Sequence, residues 1–349
     1  MNKQNILALA LKPARRVTKS VGIGIVLMLA VALIAMITPS ASSARRPCEG
    51  PTATRLVTGL EGAMGSTIGP DGALYVTEGA AGRISRVDPQ TGEKTTFASG
   101  LPTAILTIGG LSIGGPIDVA FIDNVAYALV TLVSPDVGGS DVDGIYRIDG
   151  PDSFTVVADI GQFNLDNPVP CPTCFVPTGL QYALQTYRGG FLVTDAHLNR
   201  VLRVTLDGEI GVLIAFDNVV PTGLEVRGNT VYMAEAGPDP HDPQTGKVVS
   251  FEPRSPTATE VASGAPFLLD VEFGGGRLYA LSHGTFDPDT DGAVPYTGAL
   301  VKVNGGGIFT VITDGLDRPT SLEFIGNTAY VVTAGTGEIW KIDRVWCRR

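Results

Sequence analysis

The stretch that decides the fold runs from residue 221 to residue 264 and begins PTGLEV, RGN, TVYMAEA. Two further β-rich runs follow it, GKVVSF at 246–251 and TEVASG at 259–264. Glycine, asparagine, proline and aspartate separate the four runs, which is typical of turns between short strands. The same order of motifs recurs along the chain, in units that begin 44 to 61 residues apart. Four strands per unit, repeated roughly every 50 residues, predict a β-propeller.

Six such units align at their first strands, which are expected to start at Ala63, Pro116, Pro177, Pro221, Leu268 and Pro319. Second strands are expected at 74–77, 126–131, 190–194, 231–234, 278–281 and 329–333, and third strands at 83–87, 145–148, 201–204, 247–251, 300–303 and 338–342. Five units have a fourth strand, at 94–99, 154–159, 210–216, 259–263 and 309–313. An unrelated β-sandwich is the alternative, but it would not explain why the order of motifs repeats as well as their composition.

The last unit lacks a fourth strand, and a matching segment lies at the front of the chain. Residues 54–60 resemble 94–101, including the final Gly-Leu. We therefore predict an all-β, six-bladed β-propeller in which an N-terminal strand completes the last blade. Such closure pairs the two ends of the chain and leaves only short outer edges exposed.

The four cysteines fit this closure. Cys48 precedes the N-terminal strand and Cys347 follows the last third strand, so a Cys48–Cys347 disulfide would replace the turn that joins these positions in other blades. That pairing leaves Cys171 with Cys174. Four cysteines allow three pairings and sequence alone does not choose among them; the propeller topology favours this one. A redox or zinc motif is the alternative for Cys171-Pro-Thr-Cys174, without a second Cys pair or a βαβ context to support it.

Residues 1–44 have the pattern of a signal peptide. Five basic and no acidic residues precede an unbroken run of apolar residues and glycine at 21–37, and small residues follow up to Ala44. We expect export, cleavage near Ala44, and a single secreted domain over 45–349. An uncleaved membrane anchor is the alternative, because the run is long for a signal peptide and short for a membrane span.

The charge of the chain restricts its partners. The net charge is −10, and loss of residues 1–44 would make it −15. A chain this acidic repels nucleic acid and anionic membranes, and it favours cations and neutral ligands. We therefore expect a small molecule or a protein as partner, no nucleic acid, no membrane contact after removal of the signal, and a monomer.

An ordered set of motifs resembles the ScyD/ScyE family. The set includes Gly69-Pro-Asp-Gly, Val176-Pro-Thr-Gly-Leu180, Leu192-Val-Thr-Asp195, Val220-Pro-Thr-Gly-Leu224 and Arg318-Pro-Thr-Ser-Leu322, and it covers nearly all of residues 54–343. That family comprises exported, NHL-like propeller proteins of bacteria, named after a cyanobacterial scytonemin cluster. The resemblance implies a fold and an extracytoplasmic location, but no reaction or catalytic residue. The chain departs from the family at Leu268, where the proline is missing, and at the insertion with Cys171 and Cys174.

Carboxylates are expected at one mouth of the axial channel, because first strands start and second strands end at the same end of a propeller. The candidate binding residues are Glu78, Asp118, Asp195, Glu235 and Asp270. Oxygen ligands converging on an axis suit Ca²⁺, which sugar lactonases and paraoxonase-like propellers hold in a similar way. The alternative is that these carboxylates cap strands and accept hydrogen bonds from backbone amides.

A second acidic motif, Asp287-Pro-Asp289-Thr-Asp291-Gly, matches the start of a calcium loop. Its twelfth position is Gly298 instead of a glutamate, so it predicts at most a half-formed metal site. Of the three histidines, His283 is the candidate base or ligand and His197 is expected near the same mouth, whereas His241 lies in a turn-rich loop and is expected to be exposed.

Two functions remain open from the sequence. The first is a binding or scaffold protein of the ScyD/ScyE type, with a ligand or partner at the channel mouth. The second is a Ca²⁺- or Mg²⁺-dependent enzyme similar to lactonases or streptogramin lyases, because residues 69–93 also resemble a blade of those lyases. There the cation would polarise a carbonyl and His283 would move a proton.

Overall fold

The computed structural model describes residues 49–170, 176–242 and 244–346. Six four-stranded antiparallel sheets form the blades, and their inner strands neighbour one another in a ring. The predicted signal peptide and all four cysteines lie outside the described residues, so export and both disulfides stay predictions. No helix in the described ranges is long and apolar enough to span a membrane.

The strands follow one another in chain order, from the inner to the outer position of each blade. The N-terminal strand is β1 (Thr52–Val57). Blade 1 comprises β2 (Ala63–Ile68), β3 (Leu74–Glu78), β4 (Arg83–Val87) and β5 (Lys94–Ala98), and is followed by a hairpin of β6 (Leu106–Ile108) and β7 (Leu111–Ile113). Blade 2 comprises β8 (Gly115–Ile122), β9 (Val125–Thr131), β10 (Gly144–Gly150) and β11 (Ser153–Asp159), and is followed by α1 (Ile160–Asp166). Blade 3 comprises β12 (Gln181–Tyr187), β13 (Gly190–Asp195), β14 (Arg200–Val204) and β15 (Ile210–Ala215).

The remaining blades repeat this pattern. Blade 4 comprises β16 (Pro221–Arg227), β17 (Thr230–Glu235), β18 (Gly246–Glu252) and β19 (Ser255–Ala265). Blade 5 comprises β20 (Leu268–Gly274), β21 (Arg277–Ser282), β24 (Gly298–Asn304) and β25 (Ile308–Leu316), with the hairpin β22 (Phe286–Asp287) and β23 (Gly292–Ala293) inserted between its second and third strands. Blade 6 comprises β26 (Pro319–Ile325), β27 (Thr328–Thr333), β28 (Glu338–Asp343) and β1. Two short 3-10 helices, Gly79–Ala81 and Pro135–Val137, complete the elements.

The N-terminal strand closes the ring, as predicted. β1 pairs antiparallel with β28, with Thr52 opposite Asp343 and Val57 opposite Ile339. Arg55 on the added strand also forms an ion pair of 2.9 Å with Glu338. The six-bladed propeller and its closure are therefore confirmed.

Burial changes across each blade. The second strands are buried along their whole length in blades 1 and 3, because neighbouring blades cover both of their faces. The outer strands β11 and β15 are mostly exposed or half-buried. Aromatic rings fill the spaces between blades, as where Tyr75 meets Phe97 at 4.9 Å and Phe121 at 4.7 Å between ring centroids. The core thus lies between the sheets, and the inner strands are free to line the channel.

Each inner strand carries a register shift near its start. The residues at the shift surround the axis, one from each blade. Their types follow nearly the same order in blades 1–3 as in blades 4–6: Gly65, Asp118 and Ala183, then Gly223, Asp270 and Ser321. The two aspartates make equivalent bonds. Asp118 Oδ2 accepts the amide of Leu184 in the next blade at 2.7 Å, and Asp270 Oδ2 accepts the amide of Leu322 at 2.7 Å.

Each of these aspartates also packs directly against a glycine on the inner strand of the preceding blade. A Cβ on Gly223 would lie 2.4 Å from Oδ1 and 2.6 Å from Cα of Asp270, and Gly65 has the same relation to Asp118. Because the obstacle includes backbone atoms, the two blades would have to separate to admit a methyl group.

We expect Gly223→Ala to destabilise the ring by about 1–3 kcal/mol, because overpacking at a backbone contact strains both blades. Gly211→Ala on β15 is the matched control, since a Cβ there meets no atom within 4 Å. Urea unfolding of both variants provides the measurement. Equal stability of the two variants would contradict the assigned contact.

Candidate functional site

The axial channel is divided into two chambers by a narrow waist. The upper chamber has a volume of about 210 Å³ and the lower one about 240 Å³. The waist between them, among Asp118, Tyr182 and Asp270, encloses only about 20 Å³. That is close to the space that one water needs. A ligand therefore reaches each chamber only from its own end of the propeller.

Tyr182 forms the floor of the upper chamber. Its side chain extends from β12 of blade 3, and its hydroxyl donates a hydrogen bond of 3.1 Å to the carbonyl of Thr320 on β26 of blade 6. These blades lie on opposite sides of the six-membered ring, so the side chain crosses the axis. Met64, Ile117 and Leu269 contribute apolar surface at the same level.

The walls of the upper chamber are apolar and aromatic. Phe267 is the centre of an aromatic cluster: its ring stacks on His241 with centroids 4.4 Å apart and meets His283 edge-on at 5.1 Å. Phe286 joins the cluster, 5.1 Å from His241. The rim is more polar and includes His197, Asn199, Asn218, Asp239 and Asp291.

Two hairpins form an arch over part of this chamber. The hairpin β6–β7 comes from the connection between blades 1 and 2, and the hairpin β22–β23 comes from blade 5. Their tips touch at Gly109 and Gly292, where a Cβ on Gly109 would lie 2.8 Å from the Cα of Gly292. Arg318 holds the first tip by donating to the carbonyl of Gly109 at 3.1 Å, and it also pairs with Asp317 at 2.9 Å.

Four non-glycine residues that line the chamber have positive φ: Asn199, Val220, Phe267 and Asp291. Asparagine and aspartate tolerate such angles, whereas valine and phenylalanine do not. Val220 and Phe267 precede the inner strands of blades 4 and 5 and have φ angles of 50° and 43°. Such angles cost on the order of 1–3 kcal/mol for residues with a bulky side chain. Asn199 supports the first turn, since its Oδ1 accepts the amides of Val219 and Val220, both at 2.8 Å. Both strained residues line the chamber.

The imidazoles in the chamber are held in their neutral form. Burial lowers the pKa of His283 to about 4, and its Nδ1 lies 3.0 Å from the carbonyl oxygen of Pro319. Burial also lowers the pKa of His197 and of His241, although the charge of Asp239 acts in the opposite direction on both. At neutral pH the chamber therefore holds no cationic histidine.

Glu78, the first of the predicted binding residues, lies inside its own blade. Its carboxylate accepts hydrogen bonds from Arg83 at 2.6 and 3.0 Å and from the amide of Glu61 at 2.8 Å, and Ser85 donates to it as well. Burial raises the pKa of Glu78, but the bonds from Arg83 and Ser85 outweigh burial and the pKa falls below its usual value. This carboxylate does not line the upper chamber.

Asp195 occupies the corresponding place in blade 3. It accepts a hydrogen bond from Asn164 of α1 at 2.7 Å and faces the buried Arg200 at 3.5 Å. Arg200 in turn donates to Asn164 at 2.6 Å. Burial raises the pKa of Asp195 to about 6. This group ties the helix after blade 2 to blade 3, and it is also outside the upper chamber.

Asp118 and Asp270 are the two predicted carboxylates that reach the axis, and they lie at the waist, below the mouth. Burial raises the pKa of Asp118 to about 7 and that of Asp270 well above its usual value. Below them, Glu272 and Glu323 line the lower chamber. Glu225, at the same strand position in blade 4, accepts a hydrogen bond from Gln185 of that lining. Burial, followed by repulsion from neighbouring carboxylates, raises the pKa of Glu272 and of Glu323.

Glu235, the fifth candidate, ends β17 opposite Lys247 of β18; it is buried and does not line the upper chamber. The five candidate carboxylates are thus spread between blade interiors and the waist. The expected convergence on one mouth does not occur. The geometry explains why: the residues that end the second strands point toward the outer strands of their own blade, as Glu78 does toward Arg83. Within 49–170, 176–242 and 244–346, no three His, Cys, Asp or Glu side chains lie close enough together to hold a metal ion.

The acidic motif at residues 287–291 forms the turn of the hairpin β22–β23. Asp287 stabilises that turn by accepting the amide of Asp289 and the hydroxyl of Thr290, both at 3.1 Å. Asp289 is exposed, and Asp291 lies at the rim of the upper chamber. The three carboxylates therefore lie at different places and do not converge on a common metal site.

His241 and the arch are the parts of the site that the sequence did not indicate. His241 was expected to be exposed, but it is half-buried against Phe267 and Phe286. The arch comes from segments between predicted strands, for which no pairing was expected. A signal was present in the alternation of Leu106, Ile108, Leu111 and Ile113 around Gly109-Gly110, which is a hairpin pattern.

Comparisons with known proteins support the fold. No family model matches the chain, and no curated protein matches it in sequence. Among solved structures, the PQQ-bound aldose sugar dehydrogenase of Streptomyces coelicolor is similar with a TM-score of 0.59 at 14% identity, over 85% of this chain and 99% of that one. A gluconolactonase of Xanthomonas campestris gives 0.57 at 12%, over 84% and 89%. Virginiamycin B lyase of Staphylococcus aureus gives 0.50 at 15%, over 84% and 98%.

Glu235 provides a test of these electrostatics. It is 5% exposed, and burial raises its pKa to about 7. The unfolded chain releases this proton near pH 4.3. Between these values the folded state binds more protons at Glu235, so the contribution of this group to stability falls as pH rises from about 4.3 to about 7.

We expect Glu235→Gln to match the native protein near pH 4.5 and to be more stable by roughly 2–3 kcal/mol at pH 8, because it removes the cost of a buried charge. Urea unfolding across this pH range provides the measurement. Glu209→Gln, at an exposed site, is the control and should track the native protein throughout. Parallel profiles of native protein and Glu235→Gln would show that Glu235 titrates normally.

Proposed function

We propose that this protein is an exported propeller that binds a small, largely apolar molecule in the upper chamber. The observation that carries the proposal is the form of the chamber: a closed floor at Tyr182, apolar and aromatic walls, and a few polar groups at the rim. Concave sites of this composition are the usual sites for small ligands. Export is retained from the N-terminal sequence, and a binding role agrees with the resemblance to the ScyD/ScyE family.

The size of the chamber limits the ligand. An apolar cavity of roughly 150 Å³ holds benzene. At about 210 Å³, the upper chamber suits a molecule of one or two fused rings, with further groups extending through the rim.

We expect the protein to bind 2-naphthol, a neutral two-ring compound, at one saturable site, as measured by ligand-observed NMR. Ile113→Trp, which fills the chamber from β7, should weaken this binding by about tenfold or more. Ile308→Trp is the matched control, since Ile308 is exposed on β25. Thermal melts of both variants verify folding. Absence of saturable binding, or equal binding by both variants, would refute the proposal.

An enzymatic role is the second candidate, and His283 is the observation that favours it. His283 is a buried imidazole that lines the ligand chamber, and histidine is the side chain most often used for proton transfer, although burial makes this one a weak base. The neighbouring folds include a gluconolactonase and a streptogramin lyase, which makes lactones and streptogramin B antibiotics the compounds to assay. Turnover by the native protein, with and without a chelator, that is lost in His283→Gln would establish this role; its absence would leave binding alone.

A further inference from the structure

The upper chamber combines aromatic faces with two carboxylates. Asp239 comes from the loop between β17 and β18, and Asp291 from the tip of the hairpin β22–β23. Both lie within electrostatic range of His241, the ring that stacks on Phe267. The two carboxylates therefore approach the aromatic cluster from two different blades.

Positive charge near these carboxylates is scarce. Among the described residues that line the upper chamber there is no lysine or arginine. Arg318 lies behind His283 but is paired with Asp317 at 2.9 Å and bonded to the carbonyl of Gly109. The imidazoles are neutral because burial lowers their pKa. An organic anion would therefore meet repulsion without a compensating partner.

From this arrangement, and resting on the proposed function, we infer that the ligand is an organic cation: a flat or compact apolar body carrying an amine or a quaternary ammonium group. Carboxylates attract such cations, and the attraction is stronger where part of the surrounding water is excluded. The apolar body contacts Phe267 and Leu269, and the charged group lies toward Asp239 and Asp291 at the rim. The acidity of the whole chain, at −10, raises the local concentration of cations further.

The lower chamber does not compete for this ligand. It contains more carboxyl groups, including Asp270, Glu272 and Glu323, but its lining is polar, and among the described residues it offers no aromatic cluster. Burial and repulsion by neighbouring carboxylates raise the pKa of these three groups, so they carry less negative charge than their number suggests. An apolar body would gain little from burial there.

The test compares three probes of similar shape for their ability to displace 2-naphthol, measured by NMR: phenyltrimethylammonium, the neutral tert-butylbenzene, and benzenesulfonate. We expect the cation to bind about tenfold more tightly than the neutral compound, and the anion not to bind. Asp239→Asn should weaken the cation about three- to tenfold and leave the neutral compound unchanged. Asp152→Asn, an exposed site in the turn between β10 and β11, is the control and should change neither.

The outcomes separate the two proposals. If 2-naphthol and tert-butylbenzene bind but the cation binds no better, the chamber is a ligand site and the inference of a cationic ligand is wrong. The same conclusion follows if Asp239→Asn affects all probes equally. If neither 2-naphthol nor any of the three probes binds, the proposed function itself fails. Loss of cation binding in Asp152→Asn as well would show that general charge, and not Asp239, is responsible.

Discussion

The hydrogen bond from Tyr182 to the carbonyl of Thr320 is the contact on which the character of this molecule depends. It joins blades 3 and 6 across the axis, and together with Asp118 and Asp270 it reduces the channel to a space of about 20 Å³. The chamber above this waist has a mainly apolar lining, and the chamber below it has an acidic lining. A propeller with an open channel would mix the two environments; this one keeps an apolar, aromatic chamber apart from a polar one.

The ring that supports this waist depends on closure at the N-terminus. β1 completes blade 6 by pairing with β28, so the inner strands are held at fixed distances around the axis. Asp118 and Asp270 then connect adjacent inner strands by accepting amides of Leu184 and Leu322. Gly65 and Gly223 have no Cβ and therefore leave room for these aspartate side chains. The repeat of this arrangement every three blades gives the waist an approximate two-fold symmetry.

The sequence predicted the fold far better than the site. Strand positions followed from a repeat that appears six times, and the missing last strand pointed directly to residues 54–60. Glu78 and Asp195, in contrast, were placed correctly at strand ends, but their side chains were expected to point toward the channel mouth and instead point into the blades. Their orientation depends on Arg83 and Arg200, whose side chains attract them into the blade interior. Sequence position fixes where a strand ends, but the register shift in each inner strand decides which residues face the axis.

His241 illustrates the same limit for loops. Its surroundings, Pro238-Asp239-Pro240, are typical of an exposed turn, yet the loop folds back onto Phe267 and Phe286, which belong to another blade. Contacts between loops of different blades leave no periodic signal, because each loop differs in length and composition. The chamber is built largely from such loops and from the two hairpins of the arch.

The most direct test of the account is where a ligand lies in a crystal of the protein. Soaking with 4-bromophenyltrimethylammonium and measuring the anomalous scattering of bromine would locate the probe without prior assumptions. The account predicts one peak in the upper chamber, above Tyr182 and against Phe267, with the ammonium group toward Asp239. A peak in the lower chamber among Asp270, Glu272 and Glu323, or none at saturating probe, would contradict it.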